Sequence, residues 1–138
     1  MIDHFYLPVS DVSRSRDFYR QVLGALGMAE DMVFRGASVF GLGGPGAFWI
    51  HPKAKDPSPE GGPCRTDIDP AAPFPRLHIA FRAPSRAHVE RFAELAEMFG
   101  GVVVHSPRVL PEYHDSYFAA FVRDPDGHNI EAVCSEPS

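Results

Sequence analysis

Residues 121–131 read FVRDPDGHNIE, an apolar segment, a polar turn and a second apolar segment that carries a carboxylate. Pro125 and Gly127 stand where a tight connection between two strands favours these residue types. We therefore expect strands at Tyr117–Arg123 and Asn129–Val133, joined by a short turn. Glu131 then lies inside the last of these strands.

The first half of the chain predicts a strand, a helix and three further strands. The first strand is expected at Ile2–Val9, and a helix with an apolar stripe follows over Asp11–Leu26. Ser10 or Asp11 can cap this helix and Gly27 can end it. From Met32 to His51, three short strand-like segments separated by glycine-containing turns indicate an antiparallel meander.

The second half repeats this order. A strand is expected at Leu77–Arg82, and a helix that Ser85 can cap follows before Gly100 and Gly101. A strand at Val102–His105 then precedes the hairpin. Three pairs of residues are separated by the same 74 positions: His4 and His78, Phe18 and Phe92, Gly27 and Gly101. An internal duplication of a β-α-β-β-β module explains this common spacing.

Composition limits the kinds of partner. The 138 residues carry a formal charge of −5 with scattered basic residues, which argues against nucleic acid or anionic lipid as a partner. The sequence has neither a signal-peptide pattern nor a run of about 20 apolar residues, so we expect a soluble cytoplasmic protein that does not bind membranes. Cys64 and Cys134 are too few for a disulfide framework and are expected to be free thiols. A small molecule is the expected partner.

Three residues on the predicted strands suit a metal site. Alternate side chains of a curled sheet point inward, so one polar residue from each of several strands can converge on one point. His4, His78 and Glu131 would provide two imidazoles and a carboxylate. This set suits Fe(II), Zn, Mn, Ni or Co and leaves positions open for water or substrate. Taken singly, each of the three would more simply be a polar residue on a half-buried strand.

Four motifs together resemble the vicinal oxygen chelate superfamily, which comprises glyoxalases, bleomycin resistance proteins and extradiol dioxygenases. They are IDH at 2–4, RDFY at 16–19, HIAF at 78–81 and FVRDPDGHNIE at 121–131. The resemblance covers almost the whole chain and implies an α+β fold in one domain, residues 1–138. It implies two βαβββ modules, about 1–51 and 76–134, each a curled mixed sheet with a helix on its outer face. Residues 52–75, which contain seven prolines, would connect them.

The resemblance also implies a cup-shaped site with a divalent metal, here Zn, Fe, Ni or Mn, and often a homodimer. Glyoxalase-like lyases take a fourth ligand, Glu or Gln, from the fourth strand of the first module. That segment is Ala47–His51, which has neither residue type. Trp49 falls nearest the expected position, and His51 lies two residues further on the same face. Either three protein residues bind the metal, or His51 substitutes, or the metal has been lost.

Aromatic and polar residues at Pro111–Phe118 have the composition of a pocket rim. Tyr113 and His114 are the candidate catalytic residues, since an imidazole titrates near neutral pH. Tyr6, Trp49 and Tyr113 are the candidate substrate contacts. Phe118 and Phe121 are expected in the core.

The first functional hypothesis is a metal-dependent enzyme with lyase- or isomerase-like chemistry, which chelates two neighbouring oxygens of its substrate. One alternative is a metal-free protein that sequesters a drug or metabolite, as bleomycin resistance proteins do. Another is an extradiol-type dioxygenase, although Phe121 stands where that mechanism needs a Tyr. Thiol transfer to an antibiotic, as in fosfomycin resistance, is a remote option because the sequence has no distinctive basic cluster.

Overall fold

The computed structural model of the protein describes residues 3–34, 37–41, 48–52 and 76–136. Module one contains β1 (Phe5–Val9), α1 (Val12–Gly24), β2 (Ala29–Phe34), β3 (Ala37–Gly41) and β4 (Phe48–Pro52). Module two contains β5 (His78–Arg82), α2 (Arg86–Met98), β6 (Val102–Val109), β7 (Phe118–Arg123) and β8 (Asn129–Cys134). The order is β-α-β-β-β twice, as the sequence predicted. The expected proline-rich connection lies outside the described residues beyond Pro52.

Each module forms a four-stranded mixed sheet. The strand orders are β1-β4-β3-β2 and β5-β8-β7-β6. The first strand of each module pairs in parallel with its last strand, and the remaining pairs are antiparallel. The predicted meander and the hairpin between β7 and β8 are therefore confirmed. In this arrangement the first and last strands of a module, which carry the candidate ligands, are neighbours.

The two helices show the duplication most clearly. Both have 13 residues, and the first residues of α1 and α2 are separated by the same 74 positions as their last residues. Phe18 and Phe92 are fully buried at equivalent positions, where burying a large apolar side chain contributes about 1.5 to 3 kcal/mol. Asp11 caps α1 by accepting a hydrogen bond from the backbone of Arg14 at 3.0 Å. Ser85 precedes α2 without such a bond.

The two modules share one hydrophobic core. The core cluster draws on both helices and both sheets, and the rings of Phe48 and Phe81 meet edge to face at 5.3 Å across the module boundary. Gly101, expected as a helix stop, instead allows a close approach: a Cβ atom there would lie 2.7 Å from Cε2 of Phe18. The glycine that ends α2 with a positive φ, of 91°, is Gly100.

Polar contacts join α1 to the turn at residues 124–127. The Tyr19 hydroxyl donates to the Asp124 carboxylate at 2.7 Å, in a buried environment. Asp126 accepts hydrogen bonds from the Ser10 side chain and backbone and from Arg14. Burial raises the pKa of Asp124 above its ordinary value, although the hydrogen bond from Tyr19 and the proximity of His128 act in the opposite direction. The motif that predicted a hairpin turn thus also fixes one module against the other.

The strand boundaries differ from the prediction mainly in β6, which continues to Val109 instead of ending at His105. Two register shifts against β7, between Val103 and His105 and between His105 and Arg108, break the alternation of apolar residues. Such a strand has no clear period of two in its sequence, so its second half was not recognised. No helix in the described ranges is long and apolar enough to cross a membrane.

Candidate metal and substrate site

His78 and Glu131 meet on the exposed face of the second sheet. His78 begins β5, and Glu131 lies in the neighbouring strand β8, opposite Ala80. Residues two apart on a strand share a face, so both side chains project to the same side. His78 Nε2 lies 2.8 Å from Glu131 Oε2. The carboxylate side chain is only 4% exposed, whereas the imidazole is 51% exposed. The burial of Glu131 requires partners for both of its oxygens.

Tyr117 provides the second partner. Its hydroxyl donates to Glu131 Oε1 at 2.6 Å. Burial and the Glu131 carboxylate together raise the pKa of Tyr117 to about 12, so this phenol stays a hydrogen-bond donor at neutral pH. No specific role for Tyr117 is predicted from the sequence. Its place in the aromatic segment before β7 was the available indication of a role. Its hydrogen bond to Glu131 depends on how that segment lies against β8, which the sequence does not show.

A cavity of about 350 Å³ opens beside this pair. Its lining includes two tyrosine or phenylalanine rings, two histidines and further polar residues: His78, Val104, His105, Arg108, Leu110, Glu112, Tyr113, Phe121 and Asn129. Phe121 was expected in the core, but it pairs with Glu131 in the sheet and therefore shares its face. Its ring contacts the rings of His78 at 5.8 Å and His105 at 5.6 Å. The expectation for Phe121 was wrong because its face depends on the β7–β8 register.

Tyr113 and His114 lie in the turn before β7. Tyr113 lines the cavity, is 67% exposed and packs against Tyr117 with ring centroids 5.2 Å apart. His114 is exposed, and its Nδ1 accepts a hydrogen bond from the Ser116 backbone at 3.1 Å. His114 does not belong to the lining of the cavity described above. Of the two candidate catalytic residues, Tyr113 thus lines the cavity and its sequence neighbour His114 does not.

Module one presents a different surface. His4 lies directly before β1, and its Nδ1 is 2.6 Å from the Asp3 carboxylate. Its ring contacts those of Tyr6 at 5.2 Å and Trp49 at 6.2 Å. Tyr6 also contacts Trp49 at 5.2 Å and His51 at 5.6 Å. Four rings therefore form one cluster, which contains two of the three expected substrate contacts.

The strand register shows which residue of module one corresponds to Glu131. Tyr6 pairs with Trp49 in module one, and Ala80 pairs with Glu131 in module two. Ala80 follows Tyr6 by the same 74 residues that separate the two helices. Trp49 is therefore the equivalent of Glu131, and His51, opposite Pro8, is the equivalent of Val133. An indole has no donor atom for a metal, so this position adds no fourth ligand.

The structure brings His78 and Glu131 together but does not gather His4 with them in a single chain. Among the described residues, which include all three, no group of three or more His, Cys, Asp or Glu side chains could hold a metal ion. The His78–Glu131 pair nonetheless suits one. An imidazole nitrogen and a carboxylate oxygen are donor types that divalent metals such as zinc bind. The observed separation of 2.8 Å is that of a hydrogen bond between the two groups.

Comparisons with known proteins agree with this architecture. A family model described as the Glyoxalase/Bleomycin resistance protein/Dioxygenase superfamily matches residues 1–132. The uncharacterized protein YqjT of Bacillus subtilis is 29% identical over 132 residues, covering 94% of this chain and 95% of its own length.

Two solved structures illustrate the shared fold. A glyoxalase/bleomycin resistance protein from Albidiferax ferrireducens superposes with a TM-score of 0.71 at 23% identity, covering 96% of this chain and 97% of that protein. The lactoylglutathione lyase of Agrobacterium tumefaciens gives a TM-score of 0.61 at 21% identity, covering 97% and 92% respectively. At these identities the likeness concerns the fold.

Proposed function

Because the chain belongs to the glyoxalase/bleomycin resistance protein/dioxygenase superfamily, we propose that it is a divalent-metal-dependent enzyme with a small oxygenated substrate. The proposed reaction is lyase- or isomerase-like. The main support is the pair formed by His78 Nε2 and Glu131 Oε2, whose second oxygen is held by Tyr117 beside an open cavity. A supporting hydrogen bond of this kind is typical of metal-binding carboxylates.

The proposed metal ligands are His4, His78 and Glu131, and the metal is Zn, Fe, Ni or Mn. Since His4 is not gathered with the other two in one chain, we assign the complete site to a homodimer. His4 of one copy would meet His78 and Glu131 of the other. The aromatic cluster around Trp49 would then cover the open cavity of module two.

A divalent ion in this site would act as a Lewis acid toward two neighbouring oxygens of the substrate. The protein supplies orientation and proton transfer. Tyr117 fixes the Glu131 carboxylate, and the Phe121 ring restricts the His78 imidazole. Tyr113 Oη and His114 Nε2 are the proposed proton-transfer atoms, because His114 Nδ1 is already engaged by Ser116. Tyr6 and Trp49 would contact the substrate and exclude water from its apolar part.

One observation favours a second candidate function, metal-free binding of a planar small molecule. The rings of His4, Tyr6, Trp49 and His51 form a continuous cluster on one face, and aromatic surfaces of this kind bind flat ligands by stacking. This function would need Trp49 and Tyr6 but not the His78–Glu131 pair. The two functions therefore differ in the residues that ligand binding depends on.

The decisive experiment measures metal content by elemental analysis of protein purified without chelators. We expect close to one metal ion per chain in the wild type and a loss of most of it in His78→Ala and Glu131→Ala. His88→Ala is the matched control, since His88 is on α2 and contacts Ser85. If the wild type neither contains nor takes up Zn, Fe, Ni or Mn, the metal-dependent proposal fails and the binding function replaces it.

A further inference from the structure

The β6 strand contains an irregularity that alters which side chains face the cavity. His105 pairs with Phe121 and Arg108 pairs with Ala119, so three steps along β6 match two steps along β7. In a regular strand, residues three apart point to opposite faces. The extra residue reverses the alternation and places His105 and Arg108 on the same face. Pro107, which has no N–H to donate to the ladder, lies within this bulge.

The bulge therefore directs Arg108 into the cavity that His78 also lines. In the described part of the chain, no hydrogen bond, ion pair or ring contact involves the Arg108 guanidinium. Glu112 lines the same cavity but forms no ion pair with Arg108. Glu131 is already engaged by His78 and Tyr117. The positive charge of Arg108 is thus available to a ligand.

Two more arginines share this face. Arg82 and Arg108 lie in one row across the sheet, with Val133 and Ala119 between them. Arg123 pairs with Asn129, which lines the cavity. Neither Arg82 nor Arg123 has a bonded partner among the described residues. Three unpaired cations on one face, in a chain with a net charge of −5, attract anions to that face.

From this arrangement we infer that the substrate carries an oxyanion group, a carboxylate or a phosphate, which Arg108 binds while the other end of the substrate reaches His78 and Glu131. A planar guanidinium presents a fork of N–H donors that matches two oxygens of such a group. His105, on the same face, adds a further donor. The inference rests on the proposed function, because it assigns to Arg108 the end of the substrate that lies away from His78 and Glu131.

The test is an NMR titration of the full-length protein with pyruvate, with its neutral methyl ester and with inorganic phosphate. The Arg108 side-chain Nε–H signal and the His105 amide report binding. We expect saturable binding of pyruvate or phosphate, at least about tenfold weaker in Arg108→Gln, with the ester unaffected by that substitution. Arg91→Gln is the control, because Arg91 pairs with Glu94 on the outer helix. Dependence on Arg108 for phosphate alone would identify a phosphate group.

Two results would overturn the inference. One is that wild type and Arg108→Gln bind both anions with equal affinity, and the other is that neither pyruvate nor phosphate binds saturably. Metal content separates this result from the proposed function. Arg108→Gln should retain the wild-type metal content, and His78→Ala should retain Arg108-dependent anion binding. A metal-loaded protein without Arg108-dependent binding refutes only the oxyanion subsite. A metal-free protein that still binds anions through Arg108 refutes only the metal-dependent enzyme.

Discussion

Trp49 occupies in module one the place that Glu131 occupies in module two. Trp49 lies in the last strand of module one and pairs with Tyr6 in the first strand. Glu131 lies in the last strand of module two and pairs with Ala80 in the first strand. Tyr6 and Ala80 are separated by the repeat spacing of 74 positions. The duplication has therefore given two chemically different halves. One half has an aromatic surface, and the other has a buried carboxylate with two hydrogen-bond partners.

This equivalence makes Trp49→Glu an informative substitution. We expect it to supply a fourth ligand, a second carboxylate, beside His4 and to strengthen metal binding by roughly tenfold, about 1.4 kcal/mol. Competition with a chromophoric chelator measures the affinity. Trp49→Leu, which removes the ring without adding a donor, should show no gain. Equal metal affinity of the Glu and Leu variants would contradict the assignment of this position.

The Tyr117 hydroxyl orients Glu131, so Tyr117→Phe should weaken metal binding without preventing folding. Loss of a supporting hydrogen bond to a ligand typically costs about 10- to 100-fold in affinity. Titration with the metal found in the wild type gives the value, and circular dichroism checks the fold. Tyr113→Phe provides the control, since Tyr113 packs against Tyr117 without bonding to Glu131. An unchanged affinity in Tyr117→Phe would mean that the Tyr117 hydrogen bond does not orient a metal ligand.

A site shared between two copies predicts complementation. His4→Ala and Glu131→Ala homodimers should each lack an intact site. After the two variants are unfolded together and refolded as a mixture, each mixed dimer should contain one intact site, because His4 and Glu131 then come from different chains. Metal analysis of the mixture, with light scattering to establish the dimer, provides the readout. If metal content stays at the level of the parent variants, the ligands are not shared in this way.

The Tyr19–Asp124 bond predicts a pH-dependent loss of stability in Tyr19→Phe. At neutral pH the buried Asp124 carboxylate would lose a donor, and unfolding should become easier by about 1 to 3 kcal/mol. The pKa of Asp124 is already raised by burial, and the substitution raises it further.

When folding raises the pKa of a carboxyl group, the group's contribution to stability is fully present below its pKa in the unfolded chain. The contribution is lost as the pH rises through its pKa in the folded protein. The deficit of Tyr19→Phe should therefore be largest at neutral pH and shrink in acid. Urea denaturation between pH 3 and pH 7 measures it, with Tyr113→Phe as an exposed control. A deficit that is constant with pH would point to lost packing instead of the Asp124 bond.

Glu30 predicts the opposite pH dependence. Burial would raise its pKa, but the hydrogen bond and charge of Arg16 and the charge of Arg20 together hold it below its ordinary value. Its stabilisation is present above the unfolded pKa and is lost as pH falls through the folded pKa. Glu30→Gln should lower the melting temperature by about 2 °C at pH 7, because partly exposed ion pairs contribute little. Near pH 3 the difference should be smaller, and differential scanning calorimetry tests this.

Local patterns in the sequence were enough to predict most of the fold. The apolar stripes around Phe18 and Phe92, the turn at residues 124–127 and the repeat spacing predicted both modules and the order of their elements. The second half of β6 was missed because its bulges interrupt the alternation that identifies a strand. The resemblance implied that Trp49 lies nearest the position of a fourth ligand, and the register makes Trp49 the equivalent of Glu131.

The sequence by itself determined the two modules, because the periods of helices and strands and the chemistry of turns depend on neighbouring residues. It also made His4, His78 and Glu131 the candidate ligands. Only the tertiary structure decided that Tyr117 holds Glu131, that Tyr19 joins the modules through Asp124, and that His4 lies apart from the other two. It likewise decided that Arg108 faces the cavity. These relationships depend on strand register and module packing, and a shift of one residue reverses the face of every side chain.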